Sequence, residues 1–294
     1  MRGRTLYVYL IKYTLNAKAN FMYTNKKMII AGNILSLYEY ENVIKYGHKK
    51  VKDDERKEQK VEKPKENTID SRRRSMYRSR QKLINLVYAN CEMYKMSHDK
   101  VYLPYMWTLT FREDIRDIKE GNAEFTKFIK RLNYHFTQEK ESFVKYVAVI
   151  EFQDLRRMGV IHYHCLFFNI PFLKHKKFEE IWGNGYVQYE SVNDSLSAAK
   201  YISKYMTKTF GDERLCGEKC YFASRGLKQP FIIRKPEDIL VIRELLSEPI
   251  HQNSYDSEYQ GQVDYSQFNL RCGDYSRDDI MKVLALRGYA DVEL

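Results

Sequence analysis

Apolar residues in the middle of the chain change from the two-residue period of a strand to the wider period of a helix. The segment "YMWTLTF" at 105–111 predicts a strand with a buried Trp107 and Phe111. After Gly121 the apolar residues recur three and four apart, at Phe125, Phe128, Ile129, Leu132 and Phe136. We therefore predict an amphipathic helix that begins at an Asn122 cap.

The next apolar segments continue the alternation of strands and helices. Segments 143–153 and 160–169 are separated by the polar, glycine-containing "DLRRMG", which predicts a β-hairpin. A helical pattern at 172–183 and a strand pattern at 185–192 follow. The dipeptide Asn-Asp at 193–194 is a typical start for one more helix.

The order of these elements predicts the fold class. Strand, helix, strand, strand, helix, strand is the split βαβ arrangement, also described as ferredoxin-like or RRM-like. We expect an α+β protein with an antiparallel sheet, helices on one face and an appended helix that carries tyrosines.

Composition along the chain suggests three regions. Residues 1–70 are an N-terminal extension that ends in a mixed-charge linker, and residues 71–250 form the predicted domain. Residues 251–294 are polar and rich in tyrosine, which indicates a tail closed by a short helix near 277–288.

The charge of the chain indicates a polyanionic partner. Its net charge is +11 and its pI is near 9.2, which favours nucleic acid first and an anionic membrane second. No apolar run approaches transmembrane length, so we expect no membrane partner. Five scattered cysteines argue against a disulfide framework and favour a reducing cytoplasm.

Two histidines stand one residue apart in the apolar segment "GVIHYHCLFF". In a strand His162 and His164 point to the same face, which makes half of a metal site. Glu151 on the other strand of the hairpin is the candidate third ligand if the register brings it alongside. Such a mixed nitrogen and oxygen set suits Mn²⁺ or Mg²⁺ and does not exclude Zn²⁺. The alternative is a pair of histidines satisfied by hydrogen bonds and a solvated Glu151.

The appended helix "DSLSAAKYISKYMTKTF" places two phenols and two ammonium groups on one face. At about 100° per residue, Tyr201, Lys204, Tyr205 and Lys208 cluster beside an apolar face. Upstream, "SRRRSMYRSRQKLINLVYAN" at 71–90 predicts a helix with one basic end, suited to a phosphate backbone or simply to solvent.

Three of these segments, in this order, resemble a known family. "WTLTF", "HYHCLFF" and "YISKY" resemble the three motifs of rolling-circle replication initiators of the HUH endonuclease superfamily, the two-tyrosine type of bacterial plasmids and small single-stranded DNA phages. The similarity runs from about residue 71 to about residue 230. It implies that residues 71–250 form an HUH endonuclease domain.

The resemblance implies an enzyme that nicks and rejoins single-stranded DNA at a replication origin through a 5′-phosphotyrosine. It makes His162, His164 and Glu151 ligands of a divalent metal ion, Mn²⁺ or Mg²⁺, and Tyr201 or Tyr205 the nucleophile, with Lys204 supplying positive charge. We expect phosphate contacts from the basic stretch, the flanking lysines and two strand threonines. These candidates are Arg72, Arg73, Arg74, Arg78, Arg80, Thr108, Thr110, Lys200 and Lys208. The expected setting is the cytoplasm of a bacterial host, with host helicase and polymerase as partners.

Two alternative functions fit parts of this pattern. RNA-recognition modules share the split βαβ core without catalysis, but they present aromatic side chains where this chain has histidines. Relaxases and transposases of the same superfamily are the other alternative. Relaxases usually have three histidines with an N-terminal tyrosine, and the short transposases generally have one tyrosine.

Overall fold

The computed structural model describes residues 23–46, 69–95, 101–192, 194–209, 212–215 and 217–289. The chain divides into two compact units. The core unit is Lys65–Gln229, and the second unit combines Met1–Pro64 with Pro230–Leu294.

The described residues contain two five-stranded antiparallel sheets and seven α-helices. The strands are β1 (Tyr23–Ala31), β2 (Ile34–Lys45), β3 (Tyr105–Thr110), β4 (Tyr146–Gln153), β5 (Val160–Phe167), β6 (Val187–Ser191), β7 (Phe222–Ala223), β8 (Phe231–Ile233), β9 (His251–Ser257) and β10 (Gly261–Asn269). The helices are α1 (Ile69–Asn90), α2 (Ile118–Thr137), α3 (Asp154–Arg157), α4 (His175–Trp182), α5 (Ser195–Lys208), α6 (Pro236–Arg243) and α7 (Arg277–Leu286).

The sheet of the core unit has the strand order β6-β3-β5-β4-β7. Strand β5 lies between β3 and β4 and is buried along its whole length, which explains its unbroken apolar sequence. The predicted hairpin is β4 and β5, which pair antiparallel on either side of α3. The α+β class predicted from the sequence is confirmed.

One face of this sheet packs against α2 and α4. Trp107 lies flat on Phe178 of α4, with 3.6 Å between ring centroids, and Phe125 of α2 stacks on Tyr163 of β5. Trp107 and Phe111 are both buried, as predicted. Each such buried aromatic side chain stabilises the fold by about 2 kcal/mol relative to an exposed one.

Helix α2 begins earlier than the sequence predicts. Asp117, not Asn122, is its N-cap, and the Asp117 carboxylate accepts a hydrogen bond from the Glu120 N–H at 2.8 Å. Gly121 lies inside the helix because a Cβ there would stand 3.0 Å from the hydroxyl of Tyr163. The Asn122 side chain accepts a hydrogen bond from that hydroxyl at 2.7 Å instead.

The second unit is a sheet of order β8-β1-β2-β10-β9 with α6 and α7 packed on one face. Residues 251–294 are therefore not a tail, because they supply two strands and the predicted short helix, which is α7. Residues 230–250 also belong to this unit and not to the predicted domain. The sequence hides β9 because its side chains are almost all polar and exposed at the sheet edge.

Candidate active site

Five polar side chains share one face of the three central strands of the core unit. Glu151 of β4 lies directly opposite His162 of β5, so the hairpin register is the one that a shared site needs. On the other side of β5, Thr108 lies opposite His164 and Thr110 lies opposite His162. This face is the one opposite to α2 and α4.

His164 is held by hydrogen bonds on both ring nitrogens. Its Nε2 is 2.6 Å from the Glu151 carboxylate, and its Nδ1 is 3.0 Å from the Thr108 hydroxyl. Burial lowers the pKa of His164 below its usual value, so the ring is neutral at pH 7. The arrangement that satisfies both contacts has Nε2–H donating to Glu151 and Nδ1 accepting from Thr108.

Glu151 is an ionised carboxylate with two partners. Burial alone raises its pKa, but the hydrogen bonds from His164 and Lys208 outweigh burial and lower the pKa to about 2. Lys208 forms an ion pair with the second oxygen of the same carboxylate. Lys208 was predicted to hold DNA phosphates, and the structure brings it to the candidate metal ligand.

His162 has a buried ring nitrogen that lacks a partner. No described residue forms a hydrogen bond with its Nε2, and the side chain is 6% exposed. Burial first, and then the neighbouring His164, lowers the pKa of His162 to about 4. The ring is therefore neutral at pH 7, which is the form that binds a metal ion.

The donor atoms fit a divalent cation in kind. Two neutral imidazoles and a carboxylate are a common ligand set, and the partnerless Nε2 of His162 is an unused donor in it. Among the described residues, however, no group of three or more His, Cys, Asp or Glu side chains is arranged to hold a metal ion. Glu151 bonds His164 and Lys208 directly instead.

Helix α5, the tyrosine helix, lies across this face. It begins at Asp194, whose carboxylate accepts a hydrogen bond from the Ser197 N–H at 2.7 Å. Its apolar side, which includes Ala198, Ile202 and Met206, is fully buried. The sequence predicted both the cap and this division of faces.

The two tyrosines meet each other and the histidine strand. The Tyr205 ring stacks on His164 with 3.4 Å between centroids, and its hydroxyl donates to the Tyr201 hydroxyl at 3.1 Å. The ammonium groups of Lys208 and Lys204 lie 4.8 Å and 5.7 Å from the centre of the Tyr205 ring. The four side chains predicted to share a helix face thus lie beside the two candidate ligands.

Tyr201 is a neutral phenol at pH 7. Burial first, and then the hydrogen bond from Tyr205, raises its pKa above the ordinary value, while a hydrogen bond to Thr108 lowers it. The Glu190 carboxylate of β6 also raises the pKa of Tyr201. Glu190 was not predicted to face the site. Its position two residues after Gln188, which lies opposite Thr108, gives the only sequence signal.

The predicted DNA contacts have different surroundings. Arg74, Arg78 and Lys200 are exposed, and the side chains of Arg72 and Arg73 lie outside the described part of the chain. Arg80 bonds the tyrosine helix, because its guanidinium donates to the Thr207 hydroxyl at 3.1 Å and to the Ser203 hydroxyl at 3.3 Å. The core unit as a whole has 29 Lys and Arg against 20 Asp and Glu.

Comparison with known proteins points to DNA replication. Residues 104–210 match the family model of the replication-associated protein ORF2. The matched segment runs from β3 to the end of the tyrosine helix, so it contains every candidate ligand and both tyrosines. It is consistent with a rolling-circle replication initiator and is narrower than the similarity expected from the motifs. No curated protein and no solved structure matches the chain. No helix in the described ranges has the length and apolar content to span a membrane.

Proposed function

We propose that this protein is a replication initiation enzyme that nicks and rejoins single-stranded DNA at an origin. The observation that carries the proposal is the stacking of Tyr205 on His164, with the Tyr201 hydroxyl within 3.1 Å of the Tyr205 hydroxyl. A nucleophile and candidate ligands that belong to separate elements converge there. The segment that matches the replication-associated family contains all of them.

The proposed reaction is a transesterification. A tyrosine hydroxyl attacks the scissile phosphorus, the phosphorus–O3′ bond breaks, and the O3′ atom takes up a proton and leaves as a free 3′-hydroxyl. The phenol loses its proton and remains joined to the 5′-phosphate. The phosphodiester energy is kept in the phosphotyrosine, so the reverse attack by a 3′-hydroxyl rejoins DNA without ATP.

A neutral phenol is a poor nucleophile, so its proton must leave as it attacks. The Tyr201 hydroxyl accepts a hydrogen bond from Tyr205, which makes the pair a short path for the proton. Lys204 and Lys208 lie close to the Tyr205 ring and favour negative charge on its oxygen. Two tyrosines allow one to retain a DNA end while the other attacks the next copy of the origin.

A divalent ion, Mn²⁺ or Mg²⁺, is the cofactor that we propose, held by His162, His164 and Glu151. When bound, it polarises the scissile phosphate as a Lewis acid. Thr108 fixes the ring orientation of His164, and Lys208 holds Glu151 ionised. Such outer contacts orient ligands and tune metal affinity.

The DNA partner is a single strand at the origin. In-line attack at a fixed site requires an accessible phosphodiester, which a paired strand does not offer. We propose that Arg74, Arg78 and Lys200, all exposed, bind flanking phosphates, together with Arg72 and Arg73. Strand separation and synthesis then fall to a host helicase and polymerase in a bacterial cytoplasm.

The test is the formation of a covalent DNA–protein adduct. The full chain is incubated with Mn²⁺ and a library of single strands with a block of randomised bases, and the adduct is separated on a denaturing gel. We expect an adduct that chelator removes and that is absent in His162→Ala and in Tyr201→Phe/Tyr205→Phe. Nicks without an adduct indicate a hydrolytic nuclease, and binding without nicks indicates a non-catalytic binder; either result overturns the proposal.

A further inference from the structure

The turn between β4 and β5 exposes two large apolar side chains. Leu155 is fully exposed, and Met158 is 80% exposed. Between them Arg156 is exposed, and among the described residues it has no ion-pair partner. A single exposed leucine is ordinary, but two apolar side chains flanking a free cation on one short turn are a small binding surface. We call residues 154–158 the hairpin turn.

Hydrogen bonds to the preceding loop hold the hairpin turn in place. Arg157 donates to the carbonyl oxygens of Phe111 and Arg112, the latter at 3.0 Å. Arg116 donates to the carbonyl oxygen of Met158, also at 3.0 Å. These arginines are committed to the backbone, which leaves Arg156 as the available cation of the turn.

The ends of the turn are fixed as well. The Asp154 carboxylate accepts two hydrogen bonds from Arg214, at 2.7 and 2.8 Å. Met158 has φ 50, in the left-handed region that a non-glycine residue occupies at a cost of about 1 kcal/mol or more. A surrounding that enforces this conformation presents the Met158 side chain outward in a fixed position. The turn is therefore organised before any partner binds.

The hairpin turn borders a cleft that includes part of the candidate active site. The cleft measures about 470 Å³, and Leu155 and Arg156 line it together with Glu151 and Lys208. This volume lies in the range of pockets that hold small organic groups. A group seated there lies within one or two residues of the candidate metal ligand.

We propose that the hairpin turn is a wedge that binds unstacked bases of the DNA strand next to the scissile phosphate. Leu155 and Met158 pack against a base face, and Arg156 pairs with an adjoining phosphate. The inference rests on the proposed function, because it assigns the bases that flank the nick. It adds a device that opens a stacked or paired junction and delivers a single strand to the tyrosines.

The charge and the position of the turn favour DNA over a protein partner. The core unit carries a net charge of +9, counted between residues 65 and 229, which attracts a polyanion. The cleft is continuous with Glu151 and Lys208, where the reacting strand must pass. A protein docked on the turn is thus an outcome of the test and not a second proposal.

The experiment compares a junction with an open strand. A sequence recovered from the adducts is presented either as a linear single strand or with its cleavage site at the base of a hairpin stem, and 2-aminopurine replaces each base beside the scissile phosphate in turn. We expect wild type to raise 2-aminopurine fluorescence at one of these positions, and Leu155→Ser/Met158→Ser to lose the increase. Adduct formation by this variant falls about tenfold on the hairpin, as for the loss of one stacking contact, and changes little on the linear strand.

Matched controls separate the outcomes. Leu240→Ser removes another exposed leucine, on α6 of the second unit, and should change neither substrate. Arg156→Ala should weaken DNA binding and reduce its salt slope by about one, whereas Arg225→Ala, exposed beyond β7 in the same unit, should not act on the junction. An equal loss on both substrates, or an unchanged 2-aminopurine signal, overturns the wedge alone. No wild-type adduct on any library member overturns the proposed function, and the wedge falls with it.

Discussion

The phenol ring of Tyr205 lies flat on the imidazole of His164, with 3.4 Å between the centroids and 16° between the planes. The two residues are far apart in the sequence and belong to a helix and a strand that the sequence places in separate segments. Their stacking joins the tyrosine helix to the face that carries His162 and Glu151. One site, and not two, follows from this contact.

Thr108→Val should weaken metal use without unfolding the chain. Valine keeps the shape of threonine but removes the hydroxyl that donates to His164 Nδ1, so the ring loses its orienting partner. We expect the Mn²⁺ concentration needed for half-maximal adduct formation to rise about tenfold or more. Thr108→Ser should retain most of the wild-type affinity. Equal behaviour of the valine and serine variants would contradict the assigned role.

Arg80 and Arg78 should behave differently although they are neighbours in one basic stretch. Arg80 donates to Ser203 and Thr207 on the tyrosine helix, whereas Arg78 is exposed. Arg80→Ala should lower the free energy of unfolding by about 1 kcal/mol and slow adduct formation. Arg78→Ala should leave the urea midpoint unchanged and weaken DNA binding in a salt-dependent way. The reverse pattern would make Arg80 the phosphate contact.

The sequence predicted the order of the core elements, the hairpin and the face of the tyrosine helix, because each depends on local periodicity. It also predicted that Glu151 and His162 lie alongside each other, which requires only the hairpin register. It did not predict the contacts of Lys208 with Glu151 or of Thr108 with His164. Those contacts depend on where the helix crosses the sheet and which strands adjoin β5, which local patterns do not encode.

The second unit was missed for a related reason. Strands β1 and β2 come from one end of the chain and β9 and β10 from the other, so their pairing spans most of the sequence. The polar edge strand β9 gives no apolar alternation. Its partner β10 buries only a few side chains, Val263 and Phe268 among them.

Gly121→Ala should destabilise the core unit even though alanine favours helices. The added Cβ would stand 3.0 Å from the Tyr163 hydroxyl and 3.2 Å from Ile161 Cδ1, both on a fully buried strand. The overpacking should outweigh the helix propensity gain and lower the free energy of unfolding by about 1 to 2 kcal/mol. Urea denaturation measures the change, with Thr126→Ala on the exposed side of the same helix as control. A stabilised Gly121→Ala variant would show that Tyr163 can move.

Lys27 should make stability depend on alkaline pH. Burial first, and then the nearby Arg234, lowers its pKa to about 8, and its ammonium lies 4.1 Å from the centre of the Tyr38 ring. Between this value and the ordinary 10.5 the unfolded chain binds a proton that the folded chain does not, so stability rises as pH increases through this window. Lys27→Met removes the dependence. Urea midpoints at pH 7 and 9.5 should therefore converge for the variant and diverge for wild type; parallel curves would contradict the account.

The central claim is that a tyrosine of the helix becomes joined to DNA, and peptide mapping of the adduct tests it most directly. Trypsin cleaves after Lys200, Lys204 and Lys208, so Tyr201 and Tyr205 fall on separate peptides, "YISK" and "YMTK". The account predicts that, after nuclease digestion, mass spectrometry finds a 5′-nucleotide on one or both of these peptides. A nucleotide on any other peptide, or nicked DNA with both peptides unmodified, would contradict it.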